Sequence, residues 1–185
     1  MKTTNNYRRE FIKKSCITAT CICGFGNLAK LNAKEIGEDK NSFPHAWISK
    51  MLLNIGDVAE DEKIRKLIKE CSSVHFDELN MNIFLSPYKG NLEEFNQFIK
   101  KEWGWSIFFD KNASEIFIDE NKDFCVCPLI KKGNNTKLPA LCYCSEGFAE
   151  RMYSEVSGKP VEARVTSSIQ RGDKSCKYHI KILDN

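Results

Sequence analysis

Six cysteines beyond the first thirty-three residues are the side chains best placed by type and spacing to do chemistry: Cys71, Cys125, Cys127, Cys142, Cys144 and Cys176. Cys125 and Cys127 stand two apart in a segment that reads as a strand, where positions i and i+2 share a face. Cys142 and Cys144 repeat the C-x-C spacing after a gap of fourteen residues, at the start of a predicted helix. A helix N-terminus lowers a thiol pKa and favours the thiolate, the form that binds metal. Cys176 falls just past the turn of the last hairpin, on its apolar face. Cys125, Cys127, Cys142, Cys144 and Cys176, at element ends that a compact fold can converge, suit tetrahedral thiolate coordination of zinc or an iron–sulfur cluster. Two other readings stay open. An exported protein could pair these thiols as disulfides, or they could pack as small apolar residues. Cys71 lies in a helical stripe with Leu67 and Ile68 and reads as core, with a role as an additional ligand the alternative.

Other chemistry is sparse. His45 and His75 fall at helix edges, and His179 falls between Lys177 and Lys181 on the last strand, where it reads as solvated. None has a sequence partner that makes a catalytic dyad. There is no G-x-S-x-G, no phosphate-cradling glycine loop and no H-E-x-x-H. Asp57, Glu60, Asp61 and Glu62 read as a charged first helical turn. Trp103 and Trp105 read as hairpin core.

The N-terminus reads as a targeting segment. Tyr7-Arg8-Arg9-Glu10-Phe11-Ile12-Lys13-Lys14 resembles a twin-arginine signal, with Arg8, Arg9 and Phe11 as its defining positions. A moderately apolar run, Cys16 to Cys23, follows, and Leu31-Asn32-Ala33 offers a cleavage site. Residues 1–33 are therefore expected to be a signal peptide, with the twin-arginine translocase as partner and an exported, periplasmic destination. Retention of the signal, or lipidation at Cys21, would leave the protein membrane-anchored. This pathway moves folded proteins, often with a cofactor already inserted. The chain has 28 basic and 25 acidic residues; without the six basic side chains and one acid of residues 1–33 it keeps 22 and 24. A nearly neutral mature chain gives no electrostatic footprint for nucleic acid.

Those thiols need elements to hold them. Residues 34–42 are polar and read as a linker, leaving 43–185 as one domain of ordinary size. Apolar spacing predicts helices over 43–55, 57–71 and 91–102, the last capped by Asn91 with Glu94 returning the bond. Alternation then takes over. Residues 103–110 and 114–119 read as a hairpin across Lys111-Asn112, and 123–130 as a strand that Pro128 keeps at an edge. A Gly133-Asn134-Asn135 loop leads to Pro139 and a helix over 141–157, stopped by Gly158 and Pro160. The last hairpin alternates through Val161, Ala163, Val165, Ser167 and Ile169, turns at Arg171-Gly172-Asp173-Lys174, and returns through Cys176, Tyr178, Ile180 and Ile182. The expected class is α+β: N-terminal helices, then antiparallel hairpins packed with a C-terminal helix and a final hairpin.

Three stretches carry a resemblance: Cys142-Tyr-Cys-Ser-Glu-Gly147-Phe-Ala, Gly158-Lys-Pro-Val-Glu162, and Arg171-Gly172-Asp173-Lys-Ser-Cys176-Lys-Tyr178. Together they resemble the 4-vinyl-reductase-like domain and the related hydrolases of 2-amino-thiazoline-carboxylic acid. The likeness covers about the last 65 residues well and the preceding helices loosely. It implies an α+β domain that binds a small apolar or heterocyclic ligand under its sheet, and a homodimer is possible. In phenol-sensing members cysteines hold zinc, and Cys176 matches one of them. Ser168 stands where those sensors place a second hairpin cysteine, and Val165 near their carboxylate ligand. A metal here would need Cys125, Cys127, Cys142 or Cys144 instead.

Two functions compete at this point. One is an exported small-molecule-binding module with a thiolate–metal site. The other is a hydrolase that opens a C–N bond in a thiazoline-like ring, using metal-bound water or a low-pKa thiolate such as Cys144. A structural site is closed by four thiolates, whereas an enzyme keeps a position open.

Overall fold

The computed structural model describes residues 42–130 and 137–184. The signal expected over 1–33, with Arg8, Arg9, Phe11 and Cys21, lies outside the described residues, as do most of the 34–42 linker and the Gly133-Asn134-Asn135 loop. The chain falls into two units, Met1–Trp47 and Ile48–Asn185. The described part of the first is the opening of one helix, and the account below concerns the second.

Five α-helices are described: α1 (Ser42–Asn54), α2 (Asp61–Glu78), α3 (Met81–Leu85), α4 (Leu92–Trp103) and α5 (Cys142–Ser157). Four strands, β1 (Ser106–Asp110), β2 (Glu115–Asp119), β3 (Val161–Ser167) and β4 (Lys177–Ile182), form one antiparallel sheet in the order β1-β2-β4-β3. Two hairpins thus join through β2 and β4. No described helix is long and apolar enough to cross a membrane. The α+β architecture is the one expected.

Period-two patterning decides the sheet's two faces. Ile107, Ile116, Ile118, Ala163, Val165, Tyr178, Ile180 and Ile182 are buried on the inner side, against which α5 packs Met152, Tyr153 and Val156. Each fully buried large apolar side chain contributes about 1.5–3 kcal/mol. Helix α2 covers the other side of α5. At their crossing, a Cβ on Gly147 would lie 2.3 Å from the Lys69 carbonyl oxygen and 2.6 Å from Ser72 Oγ, so only glycine allows this approach. Beside it Glu146, fully buried, accepts Arg65 Nε at 2.9 Å, Arg65 Nη2 at 3.1 Å and the Val165 N–H at 2.9 Å. One carboxylate thereby ties α2, α5 and β3 together.

Helix α4 is capped as expected: Asn91 Oδ1 accepts the Glu94 N–H at 3.1 Å, while the return bond runs from Asn91 Nδ2 to the Glu94 carboxylate. Gly158 ends α5 at φ 69°, a left-handed cap.

Several expectations fail. Helix α2 begins at Asp61 and runs to Glu78, not over 57–71, because Ile55–Asp57 is a tighter 3-10 turn. Helix α3 was not foreseen; Asn80, at φ 51°, makes a left-handed break that separates it from α2. Residues 123–130 form no strand. β2 already pairs on both edges, and Pro128 lacks the N–H a ladder needs, so the segment turns instead, with the Ile130 N–H on the Cys127 carbonyl at 3.0 Å. Cys71 is exposed rather than core, its thiol on the Leu67 carbonyl at 3.4 Å. The inner stripe of α2 is Ile64, Ile68, Ser72 and Phe76, one position away. Trp103 closes α4 instead of opening a strand, and stands edge-on to Trp105 at 5.0 Å. His179 is not freely solvated: its ring stacks on Phe117 at 4.7 Å, with 4° between the planes.

Candidate thiolate site

Four thiols reach one neighbourhood from three different parts of the chain. Cys125 and Cys127 come from the turn after β2, Cys142 from the first residue of α5, and Cys176 from the residue before β4. They lie close enough for charge on one to act on another. Burial pushes the Cys127 thiol up to about 12, and Cys125, Cys144 and Cys142 add to the rise. Cys176 is pushed up to about 11, first by burial, with Glu120, Cys125 and Cys142 contributing. Cys142 is raised by burial and in part by Cys125.

Hydrogen bonds oppose that burial at three of the four. Cys127 Sγ takes the Leu129 N–H, Cys176 Sγ takes the Ile169 N–H, and the Cys142 thiol donates to Ser168 Oγ at 3.2 Å. Each of these bonds lowers the thiol pKa, as a bond to the charged form must. Ser168 Oγ also accepts the Arg171 N–H at 3.1 Å, which leaves the hydroxyl proton for a thiolate at Cys142.

The Arg171-Gly172-Asp173 stretch builds this arrangement. Gly172, at φ 98°, lets the chain reverse after the 3-10 turn Ile169–Arg171. Asp173 then accepts the Ser168 N–H at 2.7 Å and returns its own N–H to the Ser168 carbonyl at 3.0 Å. The closed loop presents Ser168 to Cys142 and Ile169 to Cys176. On the other side, the Leu138 N–H donates to Gln170 Oε1 at 2.9 Å, which fixes the approach to α5. The Glu120 N–H donates to the Cys176 carbonyl at 3.0 Å, which fixes the end of β2.

Cys144 meets this group at Cys127, and Cys71 lies outside it. Cys144 packs with Cys127 on the cluster of Leu52, Ile64, Ile68, Leu138, Leu141 and Tyr143, and burial pushes its thiol up to about 11, with Cys71 adding to the rise. The helix start was expected to lower the pKa of Cys142 and Cys144; both are raised, because desolvation outweighs the helix end. Among the described residues, no three His, Cys, Asp or Glu side chains stand where they could hold a metal ion as placed. The six described cysteines are free thiols, with no disulfide among them.

Two residues at the site escaped sequence reasoning. Ser168 gave no signal beyond standing where the phenol sensors that the chain resembles place a cysteine. Glu120 is buried, with Oε1 accepting the Tyr178 hydroxyl at 2.8 Å and Oε2 unpartnered; burial raises its pKa. Its only sequence cue is the acid pair Asp119-Glu120 at a strand end, where alternation puts the second carboxylate inward.

A family model described as "Family of unknown function (DUF6144)" matches residues 28–185. No curated protein matches the chain. Among solved structures, the chain is similar to trafficking protein particle complex subunit 3 from Naegleria fowleri, covalently bound to palmitic acid, at 13% identity and TM-score 0.49, covering 77% of this chain and 96% of that one. An H-NOX domain from Shewanella oneidensis in the Fe(II)CO ligation state is similar at 11% identity and TM-score 0.37, covering 94% and 96%.

Proposed function

The chain belongs to the DUF6144 family, and from its own residues we propose that it is an exported protein built around a thiolate metal site. Cys125, Cys127, Cys142 and Cys176 would hold the metal, zinc or an iron–sulfur cluster. The observation that carries this reading is that three thiols, two of them buried, each have a hydrogen-bond partner that lowers the thiol pKa and so favours a thiolate. Such outer partners orient metal-bound sulfur and tune its charge. A buried thiol that served only as a small apolar residue would need none of them. A bound cation also supplies the charge that these thiols lack, since a coordinating thiol is deprotonated outright even where burial alone keeps its proton. Closing the site would require the turn that carries Cys125 and Cys127 to draw inward, and that turn is tied down by little regular structure.

The leader reading belongs to the same proposal. Arg8, Arg9 and Phe11 resemble a twin-arginine signal, whose translocase carries folded cargo, so the metal would be inserted before export. A small apolar ligand has less support. A cavity of about 300 Å³ between α2, α5 and β3 is lined by charged groups, among them Glu62, Lys66, Glu70 and Arg164. The hydrolase reading has less support for one of its two nucleophiles: a thiol pushed up to about 11 at Cys144 is not an activated one, which leaves it metal-bound water.

The test is metal and sulfide content, with a visible spectrum, of the full chain made in bacterial cytoplasm and purified without oxygen. One zinc per chain, or a brown iron–sulfur chromophore, is expected in the parent and in Cys71→Ser, and neither in Cys142→Ser or Cys176→Ser. Metal-free parent protein, or unchanged metal in Cys176→Ser, overturns the proposal.

A further inference from the structure

The crossing of α2 and α5 brings together two cysteines that the metal proposal leaves unused. On one flank of the crossing, ion pairs join the helices: Arg65 holds Glu146 and Lys69 holds Glu150. Both members advance by four residues from one pair to the next, so the helices run parallel. On the other flank the His75 and Phe148 rings lie 4.8 Å apart. One turn earlier on each helix stand Cys71 and Cys144. Residues four apart share a helix face, so on parallel helices a step back of one turn on both sets the same two rows opposite each other again. Cys71 and Cys144 therefore occupy the rung before His75 and Phe148. Charge on Cys71 reaches Cys144, which agrees with that placement.

The backbones here are close enough for a covalent bridge. Helix axes with ordinary side chains between them stand about 8–10 Å apart. A disulfide needs Cα atoms about 4.4–6.8 Å apart. Gly147 lies between Cys144 and Phe148 in sequence, and a Cβ there would be 2.3 Å from the Lys69 carbonyl oxygen. This crossing is tighter than the usual one at the level where the two cysteines face each other. Both are free thiols, Cys71 exposed and Cys144 half-buried. The Cys71 thiol holds only the Leu67 carbonyl of its own helix, at 3.4 Å, and rotation about χ1 releases it.

We propose that Cys71 and Cys144 form a disulfide that clamps the start of α5 to α2, while Cys125, Cys127, Cys142 and Cys176 remain for the metal. The oxidising compartment rests on the export proposed above; the pairing itself does not. Cys127 also lies beside Cys144, but of these two neighbours only Cys71 is exposed, so an oxidant meets it first. The Cys71 thiolate attacks the S–S bond of a small-molecule or protein disulfide, and one thiol leaves. The Cys144 thiolate then displaces the second thiol from Cys71. Two electrons pass to the oxidant, and the two protons that the cysteines lose end on its thiols. The bond closes the loop 71–144 and stabilises the fold by restricting the unfolded chain. The reduced chain gains nothing from it.

Oxidised glutathione, added in steps to the reduced full chain purified without oxygen, tests the pairing. Remaining thiols are alkylated, and the digested chain is mapped by mass spectrometry. The expected first product joins the peptide of Cys71 to that of Cys144, with the loss of two hydrogens. The melting point should rise with it by at least ~5 °C. Cys71→Ser and Cys144→Ser should each lose both the linked peptide and the rise, while reduced Cys71→Ser melts as the reduced parent does. Glutathione left on Cys71 with Cys144 free overturns the proposal. So does Cys144 joined first to Cys127, or a rise that survives Cys71→Ser. None of these results bears on whether the chain is exported: a chain that stays in the cytoplasm overturns the export reading and leaves the pairing in oxidised glutathione as measured.

Discussion

Helix α5 is held in opposite ways at two successive turns of its N-terminal half. Around Glu146 and Gly147, it meets α2 through a close backbone approach and a buried carboxylate with three donors, all supplied by regular elements. One turn earlier, around Cys142, it meets two irregular segments, and the polar contacts there are made to sulfur. The first region is complete as it stands. In the second, burial keeps protons on thiols that the surrounding donors are arranged to find charged. The contrast separates a site built for stability from one built to receive something.

Breaking the first region should have the largest effect. Glu146→Ala leaves the Val165 N–H unpaired in the interior and Arg65 with Glu62 alone, and is expected to cost about 1–3 kcal/mol in urea unfolding. A loss below 1 kcal/mol would mean that this interface is not what holds α5 in place. Cys176→Ser strikes the second region and should leave the metal-free fold nearly intact while weakening metal affinity at least ~100-fold, read by competition with a chromophoric chelator. If it unfolds the chain as Glu146→Ala does, the two regions are not distinct.

Glu120 sharpens the comparison at the thiol end. Its pKa is raised in the folded chain, so its contribution to stability is full below the ordinary carboxylate pKa and is lost as pH rises through the raised value. Glu120→Gln should therefore gain about 1 kcal/mol at pH 7 and nothing at pH 4, seen in thermal melts at the two pH values. An equal change at both would assign Glu120 a charge-independent packing role. The smallest effect belongs to Cys71→Ser: an exposed side chain with only an intrahelical bond should move stability by no more than ~0.5 kcal/mol.

What the sequence revealed followed from local periodicity. The final hairpin, the Asn91 cap and the Gly158 stop were readable because each depends on a handful of neighbouring residues. What it hid depended on partners elsewhere. Cys71 looked like core because it sits beside Ile68, but the close approach allowed by Gly147 turns Ser72 inward instead. The 123–130 segment alternates as a strand does, yet it follows β2, whose two edges are both taken, and it carries Pro128. The thiols of Cys125 and Cys127 reach the others through a turn, not through a shared strand face. The five-thiol grouping was visible in the C-x-C spacing, while the place of Cys144, beside Cys127 on the apolar cluster, needed three dimensions. Glu120 and Ser168 were hidden because a buried polar group is identified by its partners rather than by its type.

X-ray absorption at the metal edge, on the full chain loaded without oxygen, tests the central claim most directly. Coordination by sulfur alone, near 2.3 Å for zinc, is the expected result. A first shell dominated by nitrogen or oxygen, or no bound metal to measure, would contradict a site made by Cys125, Cys127, Cys142 and Cys176.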